Sequence, residues 1–467
     1  MVLVLTVVVL QFISFANYAL TTKTTNIIYG SAPYLTFDGG RTRVTNSEAL
    51  LGISLSDGRT FTPTTNNSSS TNPIELPVAG QSFNDIGMLV PRDTDSIALS
   101  SLIGTPYNYW GDDDGDGQGI DGITATGSLN VSIVDKYNRA VTRNEVLTIC
   151  KAPYKLTLSN GEGTLTTRYG IPNESRFSAS NATYYIKPKA SPAVCFAKPN
   201  ADYINRGLSD DIYNNDKGFL PQSVTPSSYG LNFPTTGAHN LYFDLDIGGI
   251  NAQALSWAPV SHGGITATMT ESPYYRERIR VTLTGPVATP SQWRSDNPGQ
   301  IARLSLPQVF ELVGRDSSGN AVVKYGFVLK QWFVNRGNYE STHSSIESWC
   351  NKIGGYRMPK VMDLTNATCQ GEGSNADCQG AVGATPSSPD SRFRRHIGAG
   401  FFTEWGGMYS YANANFPQYG GGGWFRYWTQ DRVGSTQKFY SVYANNGRVF
   451  SHNGNIDNKV GGLCVYP

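Results

Sequence analysis

Six cysteines constrain this chain more than any other feature, because each pair that oxidises holds two separated stretches of backbone together. Cys464 lies close to the C-terminal Pro467, far along the chain from Cys350; a helix-like stretch, a Gly and aromatic run and a strand-rich tail lie between them. A domain whose last strand returns to be stapled near its first helix would satisfy that placement, with Cys369 and Cys378 as a short staple inside the span. Cys150 and Cys195 bracket a separate block of strand patterns. The simplest pairing joins them, closing a loop worth roughly 4 kcal/mol in the chain-entropy model. Six cysteines permit many other pairings, and sequence order alone does not choose among them.

The N-terminal run from Val2 to Ala19, VLVLTVVVLQFISFANYA, is short, apolar and ends in small residues, so it reads as a secretory signal cleaved near Ala16 or Ala19. It has no Lys or Arg ahead of the apolar core, and an uncleaved membrane anchor is the alternative. An even cysteine count behind such a leader points to an oxidising compartment, and so to a secreted or cell-surface location. Membrane association is expected only through that leader or a partner. Basic and acidic residues nearly balance, 37 against 36, and charged residues make up only 16% of the chain. With no basic stripe, nucleic acid is excluded as a natural partner.

Gly (50), Pro (25) and Tyr (26) are abundant while helix-forming runs are scarce, which fits short strands joined by turns. A mostly β protein of several domains is therefore expected. Residues 20–104 read as an N-terminal β region interrupted by the turn-rich TPTTNNSSSTNP. Over 105–200, Leu129, Val131 and Ile133 fall on one face of a strand, and KLTL, GTLTTRY and TYYIKP add further alternating runs. This predicts a β-sandwich domain. Residues 201–335 carry LYFDLDIGG, GGITATMT, RIRVTLTG, QVFELVG and AVVKYGFVLKQWFV, the last two flanking the hairpin-like RDSSGN, and predict a second sandwich.

From residue 336 the period changes. Ile346, Trp349, Cys350 and Ile353 recur at helical spacing, with Ser344 and Glu347 placed for a capping box and Gly354 or Gly355 for the stop. A shorter helix follows, with Pro359 in its first turn and Val361 and Leu364 on one face.

The stretches WCNKIGGYRMPKVMDLT, GAGFFTEWG, YWTQD, FYSVYANNGRVF and GLCVYP follow in that order: two helices, an irregular Gly and aromatic stretch, then paired strands ending in a cysteine. This resembles the C-type-lectin-like fold, and together with the preceding sandwiches it resembles enterobacterial surface adhesins of the intimin and invasin group. The resemblance spans roughly 105–467 and is strongest from 325 onward. It implies Ig-like β-sandwich domains followed by an α+β C-type-lectin-like adhesion domain over 336–467, and an adhesin that binds a host or neighbouring-cell surface receptor, protein or glycan. Adhesins of that group carry an outer-membrane β-barrel ahead of these domains. Nothing before residue 105 shows its repeated alternating spans, so a free secreted relative, or one anchored by another device, is expected.

DDDGDGQGIDG, residues 112–122, places Asp112, Asp114 and Asp116 at alternate positions before Gly117, as in the first half of an EF-type calcium loop. Ile123 stands where the bidentate Glu belongs, so Asp121 and the Gln118 carbonyl would complete a structural Ca2+ site. The alternative is a solvated acidic turn. Binding residues are sought between Phe416 and His452, where rings interleave with Gly, Asn and Arg, the composition of recognition loops. The candidates are Trp424, Tyr427, Tyr440, Tyr443, Asn445, Arg448, Phe450 and His452, those near the Asn446-Gly447 turn being best placed. About half of the rings, Trp428 among them, are expected in the core.

No EPN, QPD or WND signature occurs in 336–467, which disfavours calcium-mediated sugar binding. His239, His262, His343, His396 and His452 are scattered, with no HExxH, HxH or GxSxG pattern, and Glu404 in FFTEWGG lacks the second carboxylate of a glycosidase, so its expected role is to anchor a loop. An enzyme is not expected. Two other readings remain: a formylglycine-generating type of enzyme on a lectin-like scaffold, which needs free thiols at Cys369 or Cys378, and a hypervariable ligand-display protein with variation clustered over 409–459.

Overall fold

The computed structural model describes residues 29–115, 122–200, 206–371, 374, 376–417, 425–454 and 460–467. The leader expected over 1–19 lies outside the described residues. The chain is mostly β, as its composition requires, and its contacts divide it into two units, Met1–Leu147 with Pro153–Pro188 and Thr148–Ala152 with Lys189–Pro467.

In the first unit a five-stranded sheet runs in the order Ile74–Glu75, Ser180–Lys187, Tyr154–Asn160, Ser128–Val134, Ser96–Ala98, beside a three-stranded sheet of Glu174–Phe177, Gly163–Thr167 and Ile123–Thr126. Val131 pairs with Leu158 and Ile133 with Leu156. All four are buried, and so is Leu129, so the alternation read in the sequence marks the core face. Full burial of each such side chain contributes about 1.5–3 kcal/mol. The boundary expected at 104/105 falls inside this unit, since Ser96–Ala98 pairs with Ser128–Val134 and Ile74–Glu75 with Ser180–Lys187. Those N-terminal strands are two or three residues long, too short to show a period of their own.

The second unit begins earlier than the expected 200/201 boundary. Strand Ala193–Pro199 pairs with Leu241–Gly248 in a seven-stranded sheet that continues through Arg278–Thr284, Ile265–Glu271 and Val260–His262. A three-stranded sheet, Ser256–Trp257, Gln308–Arg315 and Ala321–Leu329, supplies the opposing apolar layer, with Phe310 stacked on Phe327 at 5.1 Å and Phe327 edge-on to Phe243 at 6.0 Å. Cys150 belongs to this unit, and its disulfide with Cys195 fastens Thr148–Ala152 to the edge of the strand that carries Cys195.

Strand Gln331–Ser341 runs straight out of the sandwich into a six-stranded C-terminal sheet, ordered Thr236–Ala238, Gln331–Ser341, Val460–Tyr466, Arg426–Arg432, Lys438–Tyr443, Val449–Asn453. The boundary expected at 335/336 therefore cuts a strand. It also cuts a core: Trp405, from the helix Phe401–Trp405, packs on Phe233 at 5.0 Å and Phe243 at 6.2 Å, and one apolar cluster runs from Val194 to Val465.

Helix His343–Lys352 buries Ile346, Trp349 and Cys350, the stripe read in the sequence. Its cap is Thr342, whose hydroxyl accepts the Ser345 amide, two residues before the expected Ser344. The earlier start lets the helix bury His343 as well. Gly354 and Gly355 follow with φ of 102° and 88°, the left-handed stop. The second helix, Val361–Leu364, starts just after Pro359 rather than around it, and Asp363 accepts the Lys360 amide at 2.7 Å.

Candidate functional site

The C-terminal sheet has two faces with different fates. Arg426 pairs with Tyr443, Trp428 and Phe450 both pair with Ser441, and Phe439 pairs with His452, which fixes their side chains on one face. Tyr427, Thr429, Tyr440, Val442 and Val449 point the other way and are buried. The ring of Tyr427 lies among Phe402, Phe416 and Phe425, and the Tyr440 hydroxyl donates to the Gln379 carbonyl. Tyr427 and Tyr440, expected to meet a ligand, are therefore core residues. The strand pairing puts them on the side that the helices Val361–Leu364 and Phe401–Trp405 cover. Trp424 lies outside the described residues.

On the first face, helix His343–Lys352 covers one half. His343 stacks on Phe439 with centroids 3.5 Å apart and meets Trp428 edge-on at 5.5 Å; the Trp428 indole donates to the Ser341 carbonyl at 3.0 Å. The uncovered half carries a run of rings and guanidinium groups. Arg448 sits 5.3 Å over Phe450, Phe450 meets Tyr443 edge-to-face at 4.8 Å, and Arg426 sits 5.5 Å over Tyr443. Arg426 Nη1 then donates to His452 Nε2, and His452 meets Trp428 edge-on at 6.1 Å. Tyr443, Asn445, Arg448, Phe450 and His452 are all half-buried, each with part of its surface in water. The structure thus brings together four of the expected residues and adds Arg426, which composition did not single out. Its register opposite Tyr443 was the only signal for it.

Electrostatics fix the state of this patch. An arginine donor requires an unprotonated Nε2 acceptor, and burial together with the Arg426 charge pushes the His452 imidazolium down to about 4. Asp377, beside Cys378, pulls in the opposite direction.

Three disulfides brace the unit: Cys350–Cys464 ties the first helix to the terminal strand, Cys369–Cys378 closes the loop beside strand Val449–Asn453, and Cys150–Cys195 holds Thr148–Ala152 to the sandwich strand Ala193–Pro199. Glu404 serves packing rather than chemistry. Its buried carboxylate accepts the backbone amides of Thr235, Thr236 and Gly398 and the hydroxyls of both threonines, at 2.6–3.1 Å. Burial pushes its carboxyl up against the pull of those donors.

Of the expected calcium ligands, Asp116, Gln118 and Asp121 lie outside the described residues. Asp114 accepts the Ser31 amide, while neighbouring Asp113 pairs with Arg43 and accepts the Tyr34 hydroxyl. Asp112 precedes them, and among the described residues no three His, Cys, Asp or Glu side chains gather as a metal site.

No family model and no curated protein matches the sequence. Comparison with solved structures does find matches. The structural neighbours of this chain are invasin and intimin. Invasin, described as a bacterial integrin-binding protein, aligns at 12% identity with a TM-score of 0.35, over 74% of this chain and 52% of its own. The chain thus spans about half the length of that structure. The C-terminal 282-residue fragment of intimin, in complex with the intimin-binding domain of the translocated intimin receptor, aligns at 11% identity and TM-score 0.31, over 73% of this chain and 93% of the fragment. An intimin mutant from EHEC O157:H7 aligns at 12% identity and TM-score 0.29, over 58% of this chain and 97% of its own.

Proposed function

We propose that this chain is an exported adhesin that grips a protein receptor on another cell through the ring-and-guanidinium face of its C-terminal α+β module. One observation carries the reading: Arg426, Tyr443, Arg448 and Phe450 stack on one another on a sheet face that helix His343–Lys352 leaves uncovered. Rings and guanidinium groups fixed by mutual stacking lose little entropy on binding, which is why such residues dominate protein interfaces. Three disulfides fit an oxidising compartment, and among the described residues no helix is long and apolar enough to cross a membrane. Attachment to the outside of a cell, if the leader is not cleaved, would run through that leader.

The formylglycine-generating alternative needs free thiols at Cys369 or Cys378. These two are bonded to each other, and the carboxylate of Glu404 is committed to Thr235 and Thr236.

The test is retention of the full oxidised chain on a panel of cultured cells. Phe450→Ala and Arg426→Ala should each weaken retention by roughly tenfold or more while leaving the melting temperature within a few degrees. Retention unchanged in both variants would move the adhesive surface elsewhere.

A further inference from the structure

A second site lies on the sandwich, on the outer face of the seven-stranded sheet. Ala197, Phe243, Leu245, Ile279 and Val281 point into the core. Their neighbours Lys198, Tyr242, Asp244 and Arg280 point out, and the pairing Lys198 to Asp244 to Arg280 sets three charges in a row across three strands. An outer sheet face of this kind is ordinarily solvated. Here the connection after strand Ile265–Glu271 folds back, and Ser272 donates to Asp244 Oδ2 at 2.8 Å, bringing Tyr274 and Tyr275 over the row.

The result is a hollow of about 300 Å³ lined by Lys198, Asn200, Asp244, Arg280 and the rings of Tyr242, Tyr274 and Tyr275. A second hollow of about 530 Å³ shares Tyr242 and Arg280 and is rimmed by Asn240, Asn413 and Asn415. Both volumes lie in the range of small-molecule sites, about 300–1,000 Å³.

The donors are held in place. Arg280 gives Nε and Nη2 to Asp244 at 2.8 and 3.1 Å and lies 3.9 Å over the Tyr242 ring, so its remaining edge, Nη1, is what it offers a ligand. Asn200 donates to the Tyr242 hydroxyl at 2.9 Å, which leaves that hydroxyl free to donate in turn. Lys198 spends one donor on the Asp216 carbonyl at 2.6 Å. Tyr274 is 78% exposed and Tyr275 41%, unusual for large rings beside a formed cavity.

Flat exposed rings pack against the C–H face of a pyranose, while amides, a phenol and a guanidinium edge match its vicinal hydroxyls. Asp244 is neutralised by Arg280, so Lys198 leaves the hollow with an excess positive charge. We propose that this hollow binds an acidic saccharide, a sugar ring carrying a carboxylate, with the ring against Tyr274 and the carboxylate at Lys198.

The experiment is saturation-transfer NMR on the full oxidised chain with 3′-sialyllactose and glucuronic acid, lactose being the neutral comparison. Saturation of an acidic sugar, with lactose at least tenfold weaker, is the expected result. Tyr274→Ala, at an exposed position, should lose the signal with an unchanged melting temperature, and Lys198→Gln should bring the acidic sugars down to the level of lactose. Phe450→Ala should keep the signal, which separates this site from the adhesive face. Transfer to neither acidic sugar, equal transfer to lactose, or wild-type binding by Tyr274→Ala overturns the proposal. Release of the chain from cells by sialidase would place the sugar on a cell-surface glycan; saturation of the acidic sugars with cell retention unchanged by sialidase and by free glucuronic acid would make the ligand a soluble acid sugar.

Discussion

The carboxylate of Glu404 receives both the hydroxyl and the backbone amide of Thr236, at 2.6 and 3.0 Å, across 168 positions of sequence. Trp405, the next residue, donates its indole N–H to the Thr236 carbonyl at 3.0 Å. The sandwich and the C-terminal module therefore share one buried polar joint as well as one apolar core. Glu404→Ala would leave the buried amides of Thr235 and Thr236 without acceptors, and should cost about 3–5 kcal/mol. Glu404→Gln keeps one acceptor oxygen and should cost less. Urea unfolding of both variants measures the difference.

The same joint sets which fragments fold. Residues 336–467 alone would lose Thr235 and Thr236, the partner strand Thr236–Ala238 and the rings of Phe233 and Phe243, exposing Trp405. That fragment should be aggregation-prone and lack near-ultraviolet circular dichroism. A fragment over 189–467 with Cys195→Ser keeps the joint and should unfold cooperatively. Cooperative unfolding of the shorter piece would show that the module stands alone.

The disulfides should differ in worth according to the loops they close. Cys350–Cys464 spans 114 positions and Cys369–Cys378 spans 9. In the chain-entropy model these contribute about 5 and about 2.6 kcal/mol. Paired Cys→Ala variants followed by denaturant titration should therefore show the larger loss for Cys350 and Cys464. Both cysteines of that pair are buried against the core, so some packing loss will add to it.

How much of this was legible in the sequence depends on the distance over which each feature is encoded. Leu129, Val131 and Ile133, or Ile346, Trp349 and Cys350, announce their buried face because the period of one element decides it. Tyr427 and Tyr443 carry the same compositional signal, yet one is core and the other half-exposed; only the pairing of Arg426 with Tyr443 and of Trp428 with Ser441 separates them. The 335/336 boundary misled for a related reason. A change from strand to helix period marks a new element, whereas a domain edge depends on contacts such as Glu404 with Thr236 that leave no local pattern. The sandwich hollow draws Lys198, Tyr242 and Tyr274 from three separated segments, and no window along the chain contains them together.

His452 makes the ring-and-guanidinium face sensitive to acid. Its folded pKa, about 4, lies below the ordinary value of 6.5, burial and Arg426 being the leading causes, with Lys438 adding to them and Asp377 opposing. A depressed folded value means that the unfolded chain takes up the proton first. The stability it supplies is therefore complete above about pH 6.5, declines as pH falls, and is gone near pH 4. His343, buried between Phe439 and Trp428, is shifted down as well, first by burial, and acts in the same direction. Because His452 is only half-buried, solvent screening reduces its share to about 1 kcal/mol. Other carboxylates titrate over the same range, so the comparison must be internal. His452→Gln preserves an acceptor for Arg426 Nη1 but cannot be protonated. Its urea midpoint should fall less steeply than the wild type's between about pH 7 and about pH 4.5, and its retention on cells should survive mild acid that releases the wild type. Parallel curves for the two proteins would mean that the Arg426–His452 contact does not govern the face.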